Sequence, residues 1–165
     1  MAMSATDDLL ANAARYAESF ALGDLPLPPA KSLAVVACMD SRMDIFGLLG
    51  LQVGDAHVIR NAGGVVTDDT VRSLSISQHL LGTKEIVLLQ HTNCGLLTIT
   101  DEEFADRLEA ESGSRPDWAA AAFTSLEESV RESIAKIKAS PFIPRTESVR
   151  GFVYDVETGA LTEVI

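Results

Sequence analysis

The chain has 165 residues, 47% of them apolar and 22% charged, a balance that suits one globular domain with a core needing no covalent staples. Its formal net charge of −11, with acids concentrated between Asp101 and Glu132, argues against nucleic acid or an anionic membrane as partner, because phosphate neutralisation needs clustered Lys and Arg. No apolar run approaches the roughly 20 residues that span a bilayer. The opening MAMSATDDLL lacks the basic and apolar regions of a secretory signal, so the expected compartment is the cytoplasm.

Residues 6–20, TDDLLANAARYAESF, carry acids in the first turn and Leu9, Leu10, Ala13, Ala14 and Ala17 at helical spacing. Pro26, Pro28 and Pro29 then force an extended connector. Residues 1–31 therefore read as an arm attached to a single domain spanning 1–165, with an apolar stripe that needs something to pack on. SLAVVACM is a short continuous apolar run, the pattern of a parallel strand covered on both faces. MDIFGLLG reads as a short helix ending at Gly50, and AHVIRNAGG as a second strand entering a glycine turn. TDDTVRSLSISQHLLG is a helix with Thr67 as cap and Gly82 past its end. KEIVLLQH is a third buried strand, and TDEEFADRLEAESG has the Thr100–Glu103 capping box and a terminal Gly113. Residues 119–139 read as a longer amphipathic helix stopped by Pro141, with Trp118 before it as a packing residue. SVRGFVYDVETGALTEVI alternates and turns at ETG, the signature of a hairpin or an added edge strand.

This order predicts an α/β fold: a mostly parallel central sheet flanked by helices, with an N-terminal helical arm and a C-terminal edge strand or hairpin. The ligand site of such a sheet lies beyond the carboxyl ends of its strands. There the first strand finishes in CMDSR, with Cys38, Asp40 and Arg42 in alternation, and the third in HTNCG, with His91 and Cys94. Cys38 has three uses to choose from: nucleophile, disulfide partner or metal ligand. A nucleophile with His91 as base leaves Cys94 unexplained, and no C-x₅-R phosphate loop follows, since Asp44 stands six residues on. A structural disulfide is disfavoured in a reducing compartment. Two thiolates and one imidazole form a set that selects zinc, and three protein ligands leave a fourth position for water or substrate. Asp40 can bind the metal itself, or pair with Arg42 and accept a hydrogen bond from water activated at the metal, whose pKa falls to about 7.

CMDSR, VIRNAGG and HTNCG, in this order and at these separations, resemble the β-class carbonic anhydrases, in particular their short bacterial and mycobacterial-type members. The similarity runs over essentially the whole chain. It implies zinc held by Cys38, His91 and Cys94, a catalytic dyad of Asp40 and Arg42, and reversible hydration of CO2 to bicarbonate and a proton by zinc-bound hydroxide. In some members the aspartate matching Asp40 becomes the fourth zinc ligand. The family also implies a homodimer or higher oligomer in which the N-terminal helix crosses onto a neighbour. Gly63 and Gly64 are expected at the substrate pocket, where the backbone approaches closely; without G-x-G-x-x-G they are not a dinucleotide loop. Arg60 and Asn61 are candidates for positioning that glycine loop, whereas His57 and His79 read as ordinary residues. Two other functions compete: hydrolysis of CS2 or a related heterocumulene on the same scaffold, and non-catalytic zinc binding.

Overall fold

A computed structural model describes residues 4–165, so the first three residues of the stretch read for a secretory signal lie outside the described residues. Four strands run parallel: β1 (Leu33–Cys38), β2 (Ala56–Asn61), β3 (Glu85–His91) and β4 (Ser148–Tyr154). A fifth, β5 (Leu161–Val164), returns antiparallel along β4, giving the order β2-β1-β3-β4-β5. The predicted hairpin and the predicted edge strand are thus the same element, turned at Gly159 with φ 75°. The chain leaves β1 toward β2 and comes back to its other side with β3. The carboxyl ends of β1 and β3 therefore meet where the strand order reverses, the place at which open α/β sheets bind ligands.

Strand alternation sorts the core into two faces. Ala34 and Val36 of β1, with Ile86 and Leu88 of β3, pack with Leu74 of α3 (Asp68–Leu81) and Ile137 of α5 (Leu126–Ala139). Val35, Ala37 and Leu89 point the other way, into a cluster with Met43, Ile45 and Leu51 around the short α2 (Ile45–Leu49). This second face has the thinner cover, and Leu33, Val58, Val87 and Phe152 on it remain only half-buried. Caps fall where the sequence puts them: Thr67 accepts from the Thr70 N–H, Thr100 and Glu103 form a capping box on α4 (Asp101–Ser112), and Gly50, Gly82 and Gly113 end helices in the left-handed region.

The arm helix α1 (Ala5–Glu18) is capped by Ser4 and has no buried residue; Leu9 and Leu10 are 70% and 64% exposed. The helix expected over 119–139 begins only at Leu126. Ala121 sits at φ 60°, the Ala122 N–H donates to Asp101 Oδ1, and the Phe123 N–H donates to the Leu96 carbonyl. Those tertiary bonds outweigh the helix propensity of the alanine run, and Ser125 then caps α5 by accepting from Glu128 N–H. Trp118 departs from its reading as packing: it is largely exposed and tilts against Phe104 with ring centroids 6.4 Å apart. Among the described residues no helix is long and apolar enough to cross a membrane.

Candidate metal centre

Cys38 is the last residue of β1 and His91 the last of β3, so the parallel pairing of these strands delivers both to one edge of the sheet. The turn after β3 brings Cys94 back to them, with Asn93 in the left-handed region at φ 55°. The two sulfurs and a His91 ring nitrogen lie within 4.8 Å of one another, and all three residues are buried. The His91 Nδ1–H donates to the Thr92 carbonyl at 2.8 Å, which fixes the tautomer and leaves a lone pair on Nε2. Nε2 is fully buried and has no hydrogen-bond partner. A buried acceptor without a donor is costly in a finished structure, so this atom fits a metal ion. Two soft sulfurs and an imidazole in tetrahedral reach of a common centre suit zinc, with one corner supplied by something other than these three residues.

The electrostatics favour thiolate at Cys38. Burial pushes its thiol up, but the His91 ring when protonated, with the N–H groups of Asp40 and Gly63, outweighs burial and brings it down to about 7. The Cys94 thiol is pushed up, first by burial and then by the Cys38 sulfur beside it. A dication between the two sulfurs removes that conflict, because coordination deprotonates a thiol outright.

Asp40 is engaged by Arg42 beside the three donors. Arg42 grips it with a bidentate fork, Nε to Oδ1 at 2.9 Å and Nη2 to Oδ2 at 2.7 Å, and the Arg42 backbone N–H adds a third bond to Oδ1 at 2.9 Å. The hydrogen bonds from Arg42 hold this carboxyl well below the usual carboxylate range. Oδ2 is nonetheless only 3.6 Å from His91 Nε2, so the carboxylate stands at the rim of the donor corner. Arg42 Nη2 also donates to the Asn93 carbonyl at 3.1 Å, tying the loop after β1 to the turn after β3.

Both glycines sit where a side chain has no room. A Cβ on Gly64, at φ 61°, would stand 2.7 Å from the Cys38 nitrogen and 2.7 Å from the Leu89 oxygen. Gly64 therefore lets the turn after β2 close against the ends of β1 and β3. Gly63, at φ 81°, has Leu96 and Phe123 against it, and its N–H helps to lower the Cys38 thiol. Asn61 positions this loop, its side chain bonding both the N–H and the carbonyl of Val65. Arg60 does not. Its guanidinium reaches the other loop and donates to the carbonyls of Cys38, Asp40 and Met43, a set of acceptors that leaves no mark in a sequence. His57 bonds Ser77 and His79 faces the Phe142 carbonyl, both as ordinary residues outside the corner.

Comparison with known proteins agrees with this geometry. A family model described as carbonic anhydrase matches residues 33–161. Beta-carbonic anhydrase 1 of Mycobacterium tuberculosis is 54% identical over 162 residues, covering 98% of this chain and 99% of that protein. The crystal structure of carbonic anhydrase from Streptococcus mutans superposes with a TM-score of 0.92 at 47% identity, over the full length of both chains. A carbon disulfide hydrolase of an Acidianus strain is more distant, 36% identical with 82% of this chain and 78% of that protein covered. With a Cys–His–Cys corner at the sheet's switch point and likeness of this extent, the chain belongs to the β-class carbonic anhydrases.

Proposed function

We propose that this protein is a zinc-dependent carbonic anhydrase, converting CO2 and water to bicarbonate and a proton in both directions. The observation that carries the reading is the buried, unpartnered His91 Nε2 facing two cysteine sulfurs, with Asp40 beside it on an arginine fork. Cys38, His91 and Cys94 would hold the ion. When bound, zinc supplies a Lewis acid that makes water nucleophilic near neutral pH.

The chain's own residues do the rest. Asp40, kept ionised by Arg42, can only accept hydrogen bonds through Oδ2, so it orients an incoming water or hydroxide whose proton points at the carboxylate. It thereby aims the oxygen lone pair away from itself and toward the carbon of CO2. Arg42, anchored on the Asn93 carbonyl, keeps Asp40 turned from the fourth metal position. Gly63 and Gly64 allow the backbone to close on the corner at the substrate side. Leu96 and Phe123, which flank Gly63, give that wall the apolar character a linear, non-polar gas requires.

The carbon disulfide reading draws on the lesser of the two likenesses, and the paired Asp40 and Arg42 speak against mere zinc storage. Stopped-flow assays of the zinc-loaded protein on CO2 and on CS2 test this directly. Rapid hydration of CO2 with little turnover of CS2 is expected; the reverse preference, or stoichiometric zinc without turnover, would overturn it.

The same reading includes a homodimer. The bare stripe of α1 and the half-buried residues of the thinly covered sheet face support it, since covering what Leu9 and Leu10 expose is worth about 2–4 kcal/mol. Cytoplasmic placement belongs to the reading too, since a reducing compartment keeps a pair of zinc-ligating cysteines from closing into a disulfide.

A further inference from the structure

We infer that Arg60 is a positioning residue for the reaction: it fixes the backbone from Cys38 to Met43 and so decides where the Asp40 carboxylate points. The inference rests on the role given to Asp40 above. Beyond Cys38 the chain leaves the sheet, and the loop to Met43 has few backbone bonds of its own, Met39 N–H to the Asn61 carbonyl and Met43 N–H to the Asp40 carbonyl. Arg42 ties this loop to the Asn93 carbonyl at 3.1 Å, but among the described residues it grips the Asp40 side chain and none of the loop's own carbonyls.

Arg60 supplies the external hold. It lies on β2, paired across the sheet with Ala37, one residue short of the loop. Its Nε donates to the Cys38 carbonyl at 2.9 Å, Nη2 to the Asp40 carbonyl at 2.7 Å and Nη1 to the Met43 carbonyl at 3.2 Å. Among the described residues it pairs with no carboxylate. Three donors of one rigid plane thus hold three carbonyls that bracket the metal-ligating cysteine and the catalytic carboxylate. The Asp40 carbonyl accepts from Arg60 while the Asp40 side chain accepts from Arg42, so the two arginines fix the two ends of the same residue. With Arg60 gone, the Cys38, Asp40 and Met43 carbonyls lose their common anchor, and the loop keeps only the Met39–Asn61 and Arg42–Asn93 bonds to its surroundings. Oδ2, already 3.6 Å from His91 Nε2, then gains room to turn into the donor corner.

The test compares Arg60→Gln, Arg60→Lys and a remote control, Arg72→Gln, each loaded with zinc and separately with cobalt(II). For Arg60→Gln, kcat falls about tenfold to a hundredfold at constant KM, the scale of an ångström-sized misplacement. Its zinc content matches wild type, while its cobalt absorption bands shift because the ligand field has changed. Arg60→Lys, whose ammonium reaches fewer carbonyls, recovers part of the rate and keeps the comparison valid if the glutamine variant folds poorly. Arg72→Gln behaves as wild type. The inference is overturned if Arg60→Gln keeps kcat within about twofold and the cobalt spectrum is unchanged. It is also overturned if rate is lost only in proportion to zinc, with the loaded fraction spectroscopically normal. A wild-type protein that fails to hydrate CO2 would sink the carbonic anhydrase reading, whereas the cobalt spectra would still decide the part played by Arg60.

Discussion

The donor corner and the rim of this site are neighbours built by opposite means. Cys38, His91 and Cys94 are 4%, 0% and 4% exposed, locked by strand ends and the Gly64 backbone contact. The side chains of Asp40 and Arg42 keep 19% and 50% of their exposure and are held by hydrogen bonds instead. Burial suits the corner, where donors that cannot move preserve an open coordination position. Exposure suits the rim, where a proton must reach solvent. The contrast also sets the pH behaviour. Asp40 is depressed in the folded protein, so what its ion pair contributes to stability is present above about pH 4 and is lost only as pH falls toward the folded value.

Mutations separate the two regions by the size of what they remove. Cys94→Ser in the corner is expected to abolish zinc retention on dialysis and bring CO2 hydration to background, read by elemental analysis and stopped flow. Zinc kept at wild-type stoichiometry would show that Cys94 is not a ligand. Asp40→Asn at the rim should keep zinc yet lower kcat by about 10²–10⁴-fold, the range of a lost proton-accepting group. Equal loss of metal and rate would erase the distinction between corner and rim. Gly64→Ala needs a Cβ where the Cys38 nitrogen already stands, and should cost about 2–4 kcal/mol in denaturant unfolding without touching any donor atom. Smaller still, Leu10→Glu on α1 should weaken self-association about tenfold to a hundredfold by sedimentation and leave zinc binding intact.

Legibility in the sequence follows the same division. Cys38, His91 and Cys94 could be read because metal chemistry restricts residue type and because apolar runs reveal where strands end. Asp40 and Arg42 could be read as a pair, although their spacing left open whether the carboxylate binds metal or arginine; the three bonds from Arg42 favour the arginine in this structure. The position of Arg60 in the chain points to the glycine loop it adjoins, since its carbonyl acceptors carry no side-chain signature. Asn93 carries no signal in the sequence, and only its left-handed backbone, which places a carbonyl against Arg42, shows its part. The start of α5 is illegible for the opposite reason: an alanine-rich stretch advertises helix, while the bonds that unwind it come from Asp101 and Leu96, far along the chain.

The account depends on a zinc ion shared by two sulfurs and one imidazole, and X-ray absorption at the zinc edge of the purified protein measures that set directly. It should give two sulfur scatterers at about 2.3 Å, one imidazole nitrogen and one further light atom, each at about 2.0–2.1 Å. A shell of four sulfurs, a shell without sulfur, or a protein carrying no zinc would contradict it.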